Sequence, residues 1–158
     1  MFMAVMILVL STGMFFFYLQ GTCQKILRRQ FEQAFWKSIV EANGLEFPSV
    51  RAAFEGIGNS GMYSQLSKSL QSDFRSLTFL AKNAANVNQR HSFEERFLIF
   101  YFKLTFLSLV TRHALRLQEK PAAMKLTAIL QYFANVVGER VNEVRFGNLT
   151  AADYLLNL

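Results

Sequence analysis

The side chains able to do chemistry are few and scattered. The 158-residue chain holds two histidines, His91 and His113, and one cysteine, Cys23. One cysteine excludes an internal disulfide and a two-cysteine metal site within the chain, and suits a reducing compartment. His91 and Glu95 are four apart and could meet on a helix, but two ligands at a helix start are not a metal site. They read as a solvated pair. Glu139 and Glu143 also share a helix face, yet Arg140 and Arg145 stand beside them, so they read as a charged surface near a helix end. His113, next to Arg112 and near Arg116, reads as exposed rather than as an axial haem ligand. No H-E-x-x-H, C-x-x-C, G-x-S-x-G or P-loop pattern occurs. Gly56, Gly58 and Gly61 match G-x-G-x-x-G, but the preceding VRAAFE is helix-like, not strand-like. They read as an interhelical turn. The expectation is a protein that is not an enzyme and has no metal and no cofactor.

Charge is the next resource. The net charge is +6 with a pI near 9.7, and no charged residue precedes Lys25. Such a balance suits nucleic acid, anionic lipid, or a basic-biased compartment such as the mitochondrial matrix. The first basic cluster is Lys25, Arg28 and Arg29. A second is a stripe of Lys68, Arg75 and Lys82, every seven residues along a predicted helix at 62–85 whose only acid is Asp73. The plain reading of the stripe is a solvated face; the sharper one is contact with anionic lipid or an acidic protein surface. Without aromatics interleaved among the cations it does not suit single-stranded nucleic acid, and a nucleic-acid partner is not expected.

These residues must be positioned by something, and the first element is apolar. Residues 1–19 carry no charge, and Tyr18 sits where interface tyrosines are found. As a helix they span about 28 Å, close to a bilayer's hydrocarbon thickness. A cleaved signal peptide is the rival, but it would normally carry Lys or Arg ahead of the apolar run. The cations after the span, against none before it, place the C-terminal domain in the cytosol or the mitochondrial matrix. With that topology Asn148-Leu149-Thr150 is an unused glycosylation sequon. Ser11, Thr12 and Gly13 form a small-residue notch at mid-span where another helix could approach. Leu27, Phe31, Phe35 and Ile39 recur every four residues, so the helix is expected to run on to Asn43-Gly44. The division is an anchor at 1–22, a juxtamembrane stalk at 23–43 and a helical domain at 44–158.

The domain reads as a helical bundle. Seventeen Phe, one Trp and two Pro make a composition that packs helices and seldom breaks them. Phe47-Pro48 opens a short helix, and residues 82–91 read as a linker. Ser92 and Glu95 form a capping box that starts the next helix. Because residues 97–110 are apolar all round apart from Lys103 and small hydroxyls, that helix is expected at the centre of the core; a second membrane span is the alternative. Lys120-Pro121 restarts the chain. Leu126, Ile129, Leu130, Phe133, Val137, Val141 and Val144 then fall on one face up to Phe146-Gly147. Thr150 and Asp153 can cap a last turn that presents Tyr154, Leu155 and Leu156 to the core or a partner.

The fold expected is therefore all-α: a single-pass transmembrane helix continuing into a stalk, then a small bundle. The function expected is a non-catalytic accessory or assembly subunit of a larger membrane complex, of bioenergetic or secretion type, whose partners are other membrane subunits and lipid. The alternatives are a recruitment module for anionic lipid and a secreted helical protein freed from a signal peptide.

Overall fold

The computed structural model describes residues 1–29, 31, 34–56, 63–84 and 92–156, with side chains described as far as residue 142. Every regular element among them is a helix: α1 (Phe2–Leu27), α2 (Trp36–Asn43), α3 (Phe47–Glu55), α4 (Tyr63–Asn83), α5 (Phe93–Ala114) and α6 (Lys120–Leu156). The chain is thus an apolar N-terminal helix of 26 residues followed by a helical domain.

The expected stripe on α6 builds the core as far as Val137, whereas Val141 is 47% exposed and the Val144 side chain lies outside the described residues. Leu126, Ile129, Leu130, Phe133 and Val137 are fully buried, together with Val50 of α3, Leu70 and Leu77 of α4, and Leu98 and Leu109 of α5. Each such Leu or Phe contributes roughly 1.5–3 kcal/mol by leaving water. Phe74 and Phe102 stack at 3.8 Å, and Phe133 meets Phe74 edge-on at 6.1 Å. The helix at the centre is α6, not α5: it packs against α1, α2, α3, α4 and α5. Small residues permit this, since Ala122, Ala123, Ala134 and Gly138 let neighbours approach from several sides. The expected central helix, α5, buries Glu95 at its start and then only the stripe Leu98, Tyr101, Phe102, Thr105 and Leu109. Phe93 (72% exposed), Phe100 (48%), Leu107 (60%) and Val110 (41%) face outward.

Pairs at the two ends of the bundle fix the directions. Tyr63 at the start of α4 stacks on His113 at the end of α5, with ring centroids 3.6 Å apart. At the other end Arg140 of α6 joins Glu95 at the start of α5 and donates to the Ala81 carbonyl of α4 at 2.6 Å. Hence α4 and α6 both run antiparallel to α5. Helix α1 runs alongside α6: Phe16 and Leu19 share a groove with Ala122 and Lys125, while Arg29 just past its end reaches Glu139 at 3.4 Å.

The continuous stalk is not formed. Helix α1 passes beyond the apolar run but ends at Leu27, and Trp36 begins a separate helix. The expected inward face is kept: Phe31 packs edge-on against Tyr132 at 5.5 Å, and Ile39 leans on the core. The break has a tertiary cause. Asn135 Oδ1 accepts the Trp36 N–H at 2.9 Å, and Phe35 lies against Gly138, where an added Cβ would come within 2.9 Å of Phe35 Cγ. Contacts with α6 therefore outweigh the roughly one hydrogen bond per residue that a longer helix would add. Gly44, at φ 60°, ends α2 where Asn43-Gly44 was expected to, in the left-handed conformation that glycine tolerates.

Three other local expectations change. Asp73, read as a lone acid on α4, is buried and caps α3: its Oδ2 accepts from Phe47 N at 2.6 Å and Glu46 N at 2.8 Å. Burial pushes its carboxyl above the ordinary range, against the downward pull of those two N–H groups. Ser92 does stand at the N-cap of α5, but its hydroxyl makes no cap bond and Glu95 turns inward to Arg140. Finally α6 continues to Leu156. Gly147 does not end it, because a glycine weakens a helix by about 1 kcal/mol but stops it only when the chain turns left-handed there. Thr150 and Asp153 thus lie inside a helix and start no new turn.

Candidate functional site

Among the described residues two helices, α1 and α5, are long and apolar enough to cross a membrane by length and composition, and the apolar stretch of each is mostly uncovered by the domain. Residues 1–18 of α1 are exposed throughout, whereas Leu19 and Cys23 are buried in the domain. The apolar helix is therefore docked at one end and uncovered along the rest. Within the uncovered part the Thr12 hydroxyl donates to the Leu8 carbonyl at 2.7 Å, so it carries no unmet polar demand. Ser11, Thr12 and Gly13 do not form one notch, because consecutive helical residues point about 100° apart. The small positions that share a side are Gly13 and Gly21, with Phe17 between them; an added Cβ on either glycine meets nothing within 4 Å.

The second feature is the corner between α5 and α6. Arg116 there has φ 53°, Leu117 N bonds to Arg112 O at 2.8 Å and Arg116 N to His113 O at 3.0 Å. This is the six-to-one and five-to-two pattern that commonly closes a helix on glycine, here built on an arginine. Arg112 Nη1 reaches across the corner to Gln118 O at 3.0 Å, and His113 Nδ1 lies 2.6 Å from Glu119 Oε1. His113 is thus held between Tyr63 and Glu119, not simply exposed. Beside the corner a groove of about 400 Å³ runs between α1, α5 and the start of α6. Its lining includes Phe16, Leu19, Leu104 and Leu107 together with Arg112 and Lys125, and no carboxylate lines it. Leu115 and Leu117 are exposed on the corner itself.

Of the two acids expected at the surface of α6, Glu139 is drawn into a polar cluster instead. Glu95 and Arg140 form an ion pair with side chains 4% and 14% exposed. Arg29 pairs with Glu139 and lies over the Phe31 ring at 5.3 Å, and Tyr132 donates to Glu94 at 3.3 Å. Burial, and then the nearby Glu94, push the Tyr132 hydroxyl up to about 12. The cluster joins the end of α1, the start of α5 and the middle of α6. Its acids all face cations or a hydroxyl, an arrangement that holds helices together. Among the described residues no group of three His, Cys, Asp or Glu side chains is placed to hold a metal ion.

Of the basic surface residues, Lys25, Arg28, Lys68, Arg75 and Lys82 are exposed, while Arg29 is turned to Glu139. Phe79 stands exposed four residues after Arg75 and three before Lys82, so an aromatic does interleave with this stripe. The pairing of His91 with Glu95, the glycines at 58 and 61, the side chains of Glu143, Arg145, Asn148, Tyr154, Leu155 and Leu156, and their contacts lie outside the described residues. Sequence reasoning missed the corner. Its signal was present as four cations, Arg112, Arg116, Lys120 and Lys125, around one turn, against the single acid Glu119. Comparison of the chain with known protein families, with curated proteins and with solved structures returns no match.

Proposed function

We propose that this protein is a non-catalytic, single-pass membrane subunit that docks onto other membrane proteins, with its helical domain on the cytosolic or matrix side. The observation that carries the reading is the state of α1: exposed over residues 1–18, yet locked into the domain by Leu19 and Cys23. An apolar helix exposed over so much of its length needs lipid or protein around it. Its buried end argues that it is retained, because a cleavage that removed it would strip Leu19 from the core. The cations Lys25, Arg28 and Arg29 directly after the span support the orientation.

Partner docking fits better than a domain lying flat on lipid. Helix α4 runs in the same direction as α1, so Lys68, Arg75 and Lys82 are spread over about 21 Å along the membrane normal. A flank of that kind, with Phe79 among the cations, suits the side of an acidic protein neighbour. The uncovered face with Gly13 and Gly21 suits close approach of another helix within the bilayer.

The test is mild detergent extraction followed by native mass measurement. The chain is expected in the membrane fraction after alkaline carbonate washing, in a species heavier than one copy. A stable lone monomer, or a mature chain lacking its first residues, overturns the proposal.

A further inference from the structure

We infer that the groove between α1, α5 and the start of α6 is a binding site for one anionic phospholipid, with an acyl chain against Phe16, Leu19, Leu104 and Leu107 and the phosphate between Arg112 and Lys125. The inference rests on the reading of α1 as a membrane helix. Three observations bring it out. First, depth: Phe16 is the first residue of α1 to share a groove with the bundle, so about fifteen residues, roughly 22 Å, project beyond it. A hydrocarbon core of about 30 Å is thicker than that, which draws the α5–α6 corner down to the headgroups. Second, chemistry: the exposed Leu115 and Leu117 flank Arg116 on that corner, the pattern of an interfacial segment whose cations stay at headgroup level. Third, charge: two cations and no carboxylate line a groove whose walls are otherwise mostly apolar. Arg112 spends one N–H on Gln118 O, and Lys125 makes no ion pair among the described residues. A guanidinium and an ammonium lining a largely apolar slot complement a phosphodiester on an acyl glycerol.

The experiment uses the full chain in uncharged detergent, with phosphatidylglycerol and phosphatidylcholine of identical acyl chains, read by native mass spectrometry. One phosphatidylglycerol is expected to be retained at least tenfold over phosphatidylcholine, and Arg112→Gln with Lys125→Gln to bring the ratio near one. Because Arg112 also braces the corner, Lys125→Gln alone is the second variant, expected to lose several-fold with an unchanged thermal melt. Equal retention by the variants and the wild type overturns the site. So does an equal loss in Lys68→Gln/Arg75→Gln/Lys82→Gln, which would mean that net charge alone is read. Glycerol 3-phosphate supplies the headgroup without chains, and is expected not to displace the lipid; displacement by it overturns lipid as the occupant. Alkaline carbonate extraction of the same protein keeps the two readings apart. An integral protein without lipid preference overturns the groove alone, whereas a fully extracted one overturns the membrane reading.

Discussion

Removing Arg140 tests the account of what holds the bundle. Its guanidinium meets Glu95 and donates to the Ala81 carbonyl, so one side chain ties α6 to the start of α5 and the end of α4. Both partners of the ion pair are nearly out of water, at 14% and 4% exposure. Breaking a buried pair by deleting one member typically costs about 3–5 kcal/mol, because the remaining charge stays out of water after losing that member. Arg140→Ala also removes the donor to Ala81 O at the last turn of α4. For a chain of this size about 1 kcal/mol moves the Tm by about 2–4 °C, so the midpoint should fall by roughly 6–20 °C. Arg140→Lys keeps the charge but loses the fork that reaches two acceptors, and should recover only part of the loss. The double variant Glu95→Leu/Arg140→Met should lie closer to wild type than either single change, since replacing both members with apolar groups is often near neutral. Far-UV circular dichroism melts of the full chain in detergent supply the numbers. A fall below about 2 °C for Arg140→Ala, or a double variant worse than both singles, would refute the reasoning.

Other expectations follow from single positions. Gly138→Ala should destabilise despite alanine's advantage of about 1 kcal/mol in a helix, because its methyl would collide with Phe35; overpacking of that kind costs about 1–3 kcal/mol, and a stabilised variant would contradict the α2–α6 packing. Arg116→Gly should stabilise by up to about 1 kcal/mol by relieving a left-handed arginine, read as a higher melting midpoint. Asp73 has a folded-state pKa raised above its ordinary value of 3.8. Its protonation thus favours the fold, a contribution full below about pH 4 and lost as pH rises through the folded value. Asp73→Asn keeps an acceptor for Phe47 N–H without the titration, so its stability relative to wild type should increase from pH 3 to pH 6; a constant difference would sink the assignment. Cys23, fully buried between α1 and the domain, should label with maleimide only after denaturant is added, and prompt labelling in the folded chain would mean that α1 is not docked.

Much of the helical pattern was legible because helices announce themselves locally. The uncharged run at 1–19, the stripe on α6 and the turn at Asn43-Gly44 follow from period, composition and the conformational freedom of glycine, and they need no knowledge of neighbours. The same local logic misjudged α5. An all-round apolar surface says that water should be excluded, but not by what, and Phe100 and Leu107 are left uncovered by the domain.

What depended on distant partners was invisible. The start of α2 at Trp36 is set by Asn135 and Gly138, about a hundred residues away, and Asp73 caps a helix from 26 residues downstream of Phe47. The groove exists only because the end of α5 and the start of α6 both pack along α1 and bring Arg112 and Lys125 to Phe16 and Leu19. Sequence by itself determined that the chain is helical, where most of the helices lie, and that the first is apolar enough to enter a membrane. Tertiary structure alone decided which helix is central, which acids are buried and where the cations gather, because those outcomes belong to surfaces assembled from several helices and to none of them singly.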